Sequence, residues 1–435
     1  MTSGALDSCT NWLSSGSTVR WSGRVTEVVG SLVESSGPFC SVGDSCEIVN
    51  SRGEIFPGEI VAFRGAKVLS MCLEKPHGIC FGDRVVTCGA RPALRVGPQM
   101  LGRVIDAKGL PLDTLGEYPA VRSLPVDVLA PAALDRTIID EPLGCGIKGV
   151  DAFLTCGRGQ RVGIFGGSGV GKSTLIGMMA RGTSADLTVL ALVGERGREV
   201  GEFLETLGEE GRSRSVVIVS TSDQSPLLRI RAALAATTVA EYFSGLGKNV
   251  LLVVDSLTRF AMAQREIGLA AGEPPTAKGY TPSVLTMLAK LVERAGRFAG
   301  GSITAFYTVL MEGDDQQDPI VDTVRSLLDG HIVLDRKLAL ANHYPPISVL
   351  DSLSRLMPSV CSLEHLQKVG AVRMLLAAYA RAEDLIKIGA YQKGSDPLLD
   401  RAIGALPHIN TFLQQGPLDM APLDSTVKQL LALPS

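Results

Sequence analysis

Residues 161–182 read RVGIFGGSGVGKSTLIGMMARG: a short apolar run, a glycine-rich stretch closed by lysine and serine, then a helical run. This is G-x-x-x-x-G-K-[ST] between a strand and a helix, the setting in which the pattern binds phosphate. The glycines let successive backbone N–H groups wrap an anion, and the helix that follows presents its positive end to it. Gly167, Ser168, Gly169, Val170, Gly171, Lys172, Ser173 and Thr174 are therefore the expected nucleotide contacts. Lys172 is expected to reach the β- and γ-phosphates and the Ser173 hydroxyl to ligate Mg²⁺, so ATP and Mg²⁺ are the expected cofactors.

Outward from that loop, apolar runs rich in Val, Ile and Leu alternate with helical stretches: 161–165, 188–193, 215–220, 249–254 and 302–309. Runs without polar alternation fit parallel strands buried on both faces, so an α/β core is expected. Upstream, residues 18–93 read as short strands broken by Gly, Pro and Asp, with Val19, Trp21 and Val25 on a period of two and turns at 53–58 and 75–82. A small β-barrel is expected there, although a flat sandwich reads similarly. The Pro- and Gly-containing stretch 109–131 reads as the linker into the core. Downstream, Val372, Leu375, Tyr379, Ala382 and Ile386 keep helical spacing, and 396–399, 402–406 and 427–433 add shorter helical pieces. The expected domains are 1–93 (barrel), 94–362 (core) and 363–435 (helical).

Composition agrees with a folded chain: 435 residues, 45% hydrophobic and 20% charged. The net charge of −3 argues against a broad basic face for nucleic acid. Nine cysteines, none in a C-x-x-C pair, read as free thiols packed as small hydrophobes in a reducing compartment. The N-terminal stretch MTSGALDSCTNW lacks a basic start and an apolar core, and no apolar run is long enough to span a bilayer, so a cytosolic chain is expected.

Two further stretches carry chemistry. NVLLVVD (249–255) ends an apolar run on Asp255, which reads as the carboxylate that positions Mg²⁺, or alone as a helix cap. VGERGRE (193–199) places Glu195 at another strand end, where a carboxylate can polarise the attacking water while an adjacent Arg stabilises charge. By spacing alone, that run could equally be a solvated, salt-bridged loop.

FLTCGRGQRVGIFGGSGVGKSTL, LVGERGREV, VLLVVDSLTRFAMAQREIGLAAGEPPTAKGYTPSV and HYPPISVLDSLSRLMP together resemble the type III protein export ATPases. These are relatives of the catalytic subunit of the rotary F-type ATP synthase. The resemblance covers roughly residues 18 to 405. FAMAQREIGLAAGEPP, TVLMEGDDQQDPIVDTVRSLLDGHIVLDRKLA and GAY (389–391) look most like the flagellum-specific branch, with the virulence-secretion branch sharing nearly all of it. The resemblance implies Glu195 as general base, Arg196 beside it, Glu199 supporting the Mg²⁺ shell and Arg259 completing the γ-phosphate network. It implies Tyr344 packing on adenine and Arg355 as an arginine finger entering a neighbouring subunit. It further implies a homohexameric ring at the cytoplasmic face of the inner-membrane export gate. The partners it implies are a peripheral stator protein, a central stalk protein facing the loop 269–283, the gate membrane protein and substrate–chaperone complexes. Only about 17 residues precede the first expected strand, which is short for the flagellar branch and bears on stator contacts.

Two other readings share these motifs. A rotary ATP synthase catalytic subunit would keep the P-loop, Glu195 and Arg355, but the GEPPTAKGYTPSV wording and the short C-terminal domain argue against it. A hexameric RNA translocase needs a basic, aromatic platform in the barrel; residues 18–93 carry Trp21, Phe39, Phe56, Phe63 and Phe81 but no basic cluster.

Overall fold

A computed structural model describes residues 20–311 and 318–434. The leading segment expected to bear on stator contacts therefore lies almost wholly outside the described residues. The N-terminal strands close into a six-stranded antiparallel barrel, which decides between barrel and sandwich. Closure comes from pairing Ser22–Val29 with both Leu32–Ser35 and Arg84–Thr87. Alternation drives it: Val25, Val33, Cys46, Ile48, Ile60 and Val85 point inward to one small core. The expected turn at 53–58 is shorter than the sequence suggests, because Ile55–Arg64 is one strand running through Pro57 and Gly58. A Cβ on Gly58 would sit 2.8 Å from the Met71 carbonyl oxygen, so the glycine serves strand approach there and not a turn.

The core is a nine-stranded sheet. Across it run Ile347–Ser354, Gly330–Leu334, Arg161–Gly166, Ser302–Leu310, Asn249–Asp255, Leu187–Glu195, Ser215–Thr221 and Val104–Asp106, parallel except for the first; the ninth, Gly296–Arg297, pairs antiparallel with Ser302–Leu310 off this order. Successive residues of single strands enter two separate cores: Val189, Ala191, Val250 and Leu252 one, Leu190, Leu192, Leu251 and Val253 the other. Burial on both faces is why these runs lack polar alternation. The stretch expected as linker is partly sheet: Val104–Asp106 forms the far edge of the core before it, and Arg122–Pro125 folds back on Ala93–Val96. Arg294, fully buried, fastens it by donating to the Val126 carbonyl at 2.8 Å while paired with Glu241.

Three helices complete the chain, Leu363–Lys387, Pro397–Leu413 and Leu423–Leu431. The two pieces expected at 396–399 and 402–406 are one helix that carries Pro407 inside it. Val372, Leu375, Ile409 and Phe412 share a core with Ile176 and Met179 of the helix Lys172–Gly182. The C-terminal helices pack against Lys148–Phe153, within the same core as the phosphate-loop helix. The expected stalk-facing loop is shorter than 269–283, since helices Leu257–Ala271 and Pro282–Val292 take both its ends. Among the described residues no helix is long and apolar enough to cross a membrane. Of the cysteines, Cys46, Cys72, Cys145 and Cys156 are buried as expected, whereas Cys80 and Cys88 are exposed.

Candidate nucleotide site

Strand Arg161–Gly166 delivers the loop to the carboxyl edge of the parallel sheet, and helix Lys172–Gly182 leaves from it. Gly169 and Gly171 adopt φ of 76° and 99°, the left-handed region that a side chain would oppose. The Lys172 ammonium donates to the Gly166 and Gly167 carbonyl oxygens at 3.0 and 2.5 Å, closing the loop on itself. Burial lowers the Lys172 pKa, while Asp255 and Glu195 nearby favour its charge. Ser168, Gly169, Gly171, Lys172, Ser173 and Thr174 line a cavity of about 370 Å³ together with Glu195, Arg196, Glu199, Asp255 and Arg259. The aromatic ring of Tyr344 borders the same loop: a Cβ on Gly171 would meet its Cε1 at 3.9 Å.

Glu195 ends strand Leu187–Glu195 and pairs with Arg259, Nη2 to Oε2 at 3.1 Å. Arg259, on helix Leu257–Ala271, also donates to the Gly194 carbonyl, which fixes the guanidinium against the strand end. Burial, then the neighbouring Asp255 and Glu199 carboxyls, raise the Glu195 pKa to about 8. Glu199 moves the other way, held down chiefly by its hydrogen bond with Glu195. The two carboxyls are coupled, Glu195 taking the raised value and Glu199 the lowered one. Arg196 is mostly exposed and reaches Glu199 at 3.6 Å, so it stands at the mouth of the site.

Asp255 ends strand Asn249–Asp255, 6% exposed. Burial raises its pKa, opposed first by a hydrogen bond from Thr308 and then by Lys172 and Arg259. The Thr308 hydroxyl donates to Asp255 Oδ1 at 2.5 Å. Motif reading missed Thr308. Its signal was a hydroxyl within the apolar run SITAFYTVL (302–310), near the carboxyl end of the strand beside the Asp255 strand. The Ser173 hydroxyl and the Asp255 and Glu199 carboxylates are hard oxygen donors of the kind Mg²⁺ takes. A carboxyl held above its usual range chiefly by burial gains from such a cation. The residues fit the metal.

Arg355 is not part of this cluster. It follows the antiparallel edge strand, where Ser354 lies opposite Gly330 and Gly330 opposite Val162. Gly166 is further along by roughly 13 Å at the rise of a strand, and two strands aside. Arg355 thus sits at the amino-terminal end of the parallel strands, opposite the end that carries its own phosphate loop, exposed, its N–H bonded to the Asp329 carbonyl at 2.9 Å. It cannot serve that site.

A strand–loop–helix cradle for phosphates, with carboxylates at the ends of adjacent parallel strands, defines a P-loop nucleoside triphosphatase on a RecA-like sheet. Residues 146–354 match the ATP synthase alpha/beta family, nucleotide-binding domain, and residues 361–432 the T3SS EscN ATPase C-terminal domain. The flagellum-specific ATP synthase of Bacillus subtilis is 49% identical over 414 residues, 94% of each chain. The type 3 secretion system ATPase of Xanthomonas euvesicatoria is 46% identical over 413 residues, 94% of this chain and 93% of that one. The assembled ATPase EscN of the enteropathogenic E. coli type III secretion system superposes with a TM-score of 0.89 at 44% identity, covering 94% of this chain and 98% of that one. The chain belongs to the family of flagellum-specific and type III secretion ATPases, and is an ATP hydrolase.

Proposed function

We propose that this chain hydrolyses ATP at the interfaces of a homohexameric ring and couples that turnover to type III protein export, flagellar in the first instance. The observation that carries the ring is the position of Arg355, complete as a finger yet out of reach of its own site. A head-to-tail contact that closes makes such a ring. The loop residues Gly167–Thr174 cradle the triphosphate, Lys172 neutralises its β- and γ-oxygens, and Tyr344 packs on adenine. Ser173 and Asp255 hold Mg²⁺, with Glu199 supporting its shell; the ion, when bound, neutralises charge on the phosphates.

Glu195 orients and deprotonates the attacking water. Burial and two carboxyl neighbours raise the Glu195 pKa, and cationic charge entering the site favours the carboxylate that acts as base. Arg259 anchors Glu195 by their ion pair, and Arg196 at the mouth stabilises charge on the nucleotide. Arg355 of the neighbouring subunit completes the transition-state cluster, a contribution on the order of 10³–10⁵ in rate for such fingers.

The ring works in the cytoplasm against the inner-membrane export gate. Its partners are a central stalk protein, a peripheral stator protein, the gate and substrate–chaperone complexes. Support for the stalk comes from the structure of EscN with its central stalk EscO, to which this chain is similar at TM-score 0.86 and 43% identity. Domain borders at 93/94 and 362/363 belong to the same proposal, supported by the barrel strand that ends at Thr87 and the helix that begins at Leu363. The test is Glu195→Gln: ATP should still bind, with turnover reduced at least about a hundredfold. Turnover at the wild-type rate would remove Glu195 from the role of base.

A further inference from the structure

The C-terminal helices share a core with the phosphate-loop helix, but apolar packing is non-directional and does not fix a side chain. A polar connection does. Gln415, just beyond helix Pro397–Leu413, is 5% exposed and belongs to no motif. Its backbone N–H donates to the Tyr344 carbonyl at 2.9 Å. Its side-chain Oε1 accepts from the Lys148 N–H at 3.0 Å, and Nε2 donates to the Gly146 and Asp419 carbonyls at 2.9 and 3.0 Å. Both donor hydrogens and the acceptor of this buried amide are thus used, on the main chain of the segment 146–148 and of Asp419.

Two of the segments so tied reach the phosphate-loop helix, one at each end. Tyr344 borders Gly171 of the phosphate loop. Gly146, at φ 76°, presses on Gly182 at the end of the phosphate-loop helix, where a Cβ would meet the Gly182 Cα at 2.6 Å. Arg181 of the same helix donates to the Pro417 carbonyl, two residues beyond Gln415. A shift of the C-terminal helices relative to the core therefore moves the Tyr344 backbone or breaks an amide that has no water to replace its partners.

We infer that Gln415 is a positioning residue through which the C-terminal helical domain sets the place of Tyr344, and with it the affinity for the base of the nucleotide. The inference rests on the proposed packing of Tyr344 on adenine. It makes base recognition, and not phosphate chemistry, the property that the C-terminal helices govern.

The experiment is steady-state ATP hydrolysis by the full chain, with inorganic tripolyphosphate, which has no base, as a competitive inhibitor. Gln415→Met keeps the backbone bond and the length but removes the amide; Gln415→Asn keeps the amide but shortens its reach. Either should raise KM for ATP about tenfold, the weight of one or two buried hydrogen bonds, with kcat within about twofold. Inhibition by tripolyphosphate should stay at the wild-type level, which general loosening of the site would not permit. An unchanged KM in a folded variant, or equal weakening toward ATP and tripolyphosphate, overturns the inference. Tyr344→Ala, run beside them, separates the two failures: if it too leaves KM unchanged, the adenine contact itself is wrong.

Discussion

Replacing Thr308 with Val tests how the site holds a buried carboxylate ready for a cation. The two side chains are close in shape, so the change removes one hydroxyl and little volume. That hydroxyl donates to Asp255 Oδ1 at 2.5 Å, in a position 6% exposed, and is the first influence opposing burial. A hydrogen bond to a charged group contributes about 1.5–3 kcal/mol. Its loss raises the Asp255 pKa further and disfavours the ionised form by about tenfold or more. Only the ionised form can hold Mg²⁺, so the acid limb of the kcat/KM profile should move alkaline, with activity recovering at higher pH. The sign on stability follows from the same shift. A carboxyl whose folded pKa lies above its unfolded value contributes nothing below the unfolded pKa and costs stability as pH rises toward the folded one. Thr308→Val should therefore lower stability on the alkaline side of that window and leave it unchanged at low pH. The assay is ATPase rate against pH at saturating Mg²⁺. An acid limb in its wild-type place, in a folded variant, would refute the electrostatic role of Thr308.

Lys172→Ala should reduce ATP turnover at least about a hundredfold, because the cation facing the β- and γ-phosphates is gone; turnover within tenfold of wild type would contradict this. Gly146→Ala should lower stability by about 2–4 kcal/mol in denaturant unfolding, since it combines a left-handed φ of 76° with a Cβ 2.6 Å from Gly182. A loss below about 0.5 kcal/mol would mean that the Gly144–Ile147 segment yields easily.

Local chemistry was legible in the sequence where neighbours along the chain are neighbours in space. The phosphate loop needs only one strand, one turn and one helix start, all within residues 161–182, and Asp255 is marked by the apolar run it ends. Glu195 stayed ambiguous by spacing alone; what makes it a site residue is Arg259, which arrives from another element. Thr308 and Gln415 were missed for the same reason. One acts across a strand pairing 53 residues away in sequence and the other across contacts up to 269 residues away, and register at that range is set by tertiary packing. Barrel closure depended on a pairing between Ser22–Val29 and Arg84–Thr87 that local alternation does not encode. Resemblance implies the finger role proposed for Arg355; the sheet shows only that an antiparallel edge strand carries it away from the carboxyl edge.

The most direct measurement is ATPase rate per subunit against protein concentration, for wild type and for Arg355→Ala. With Arg355 serving a neighbour, specific activity should climb steeply with concentration in the wild type and stay low and flat in the variant, with nucleotide affinity retained. A rate independent of concentration and unaffected by the substitution would mean that each subunit turns over ATP alone, and the ring would lose its catalytic basis.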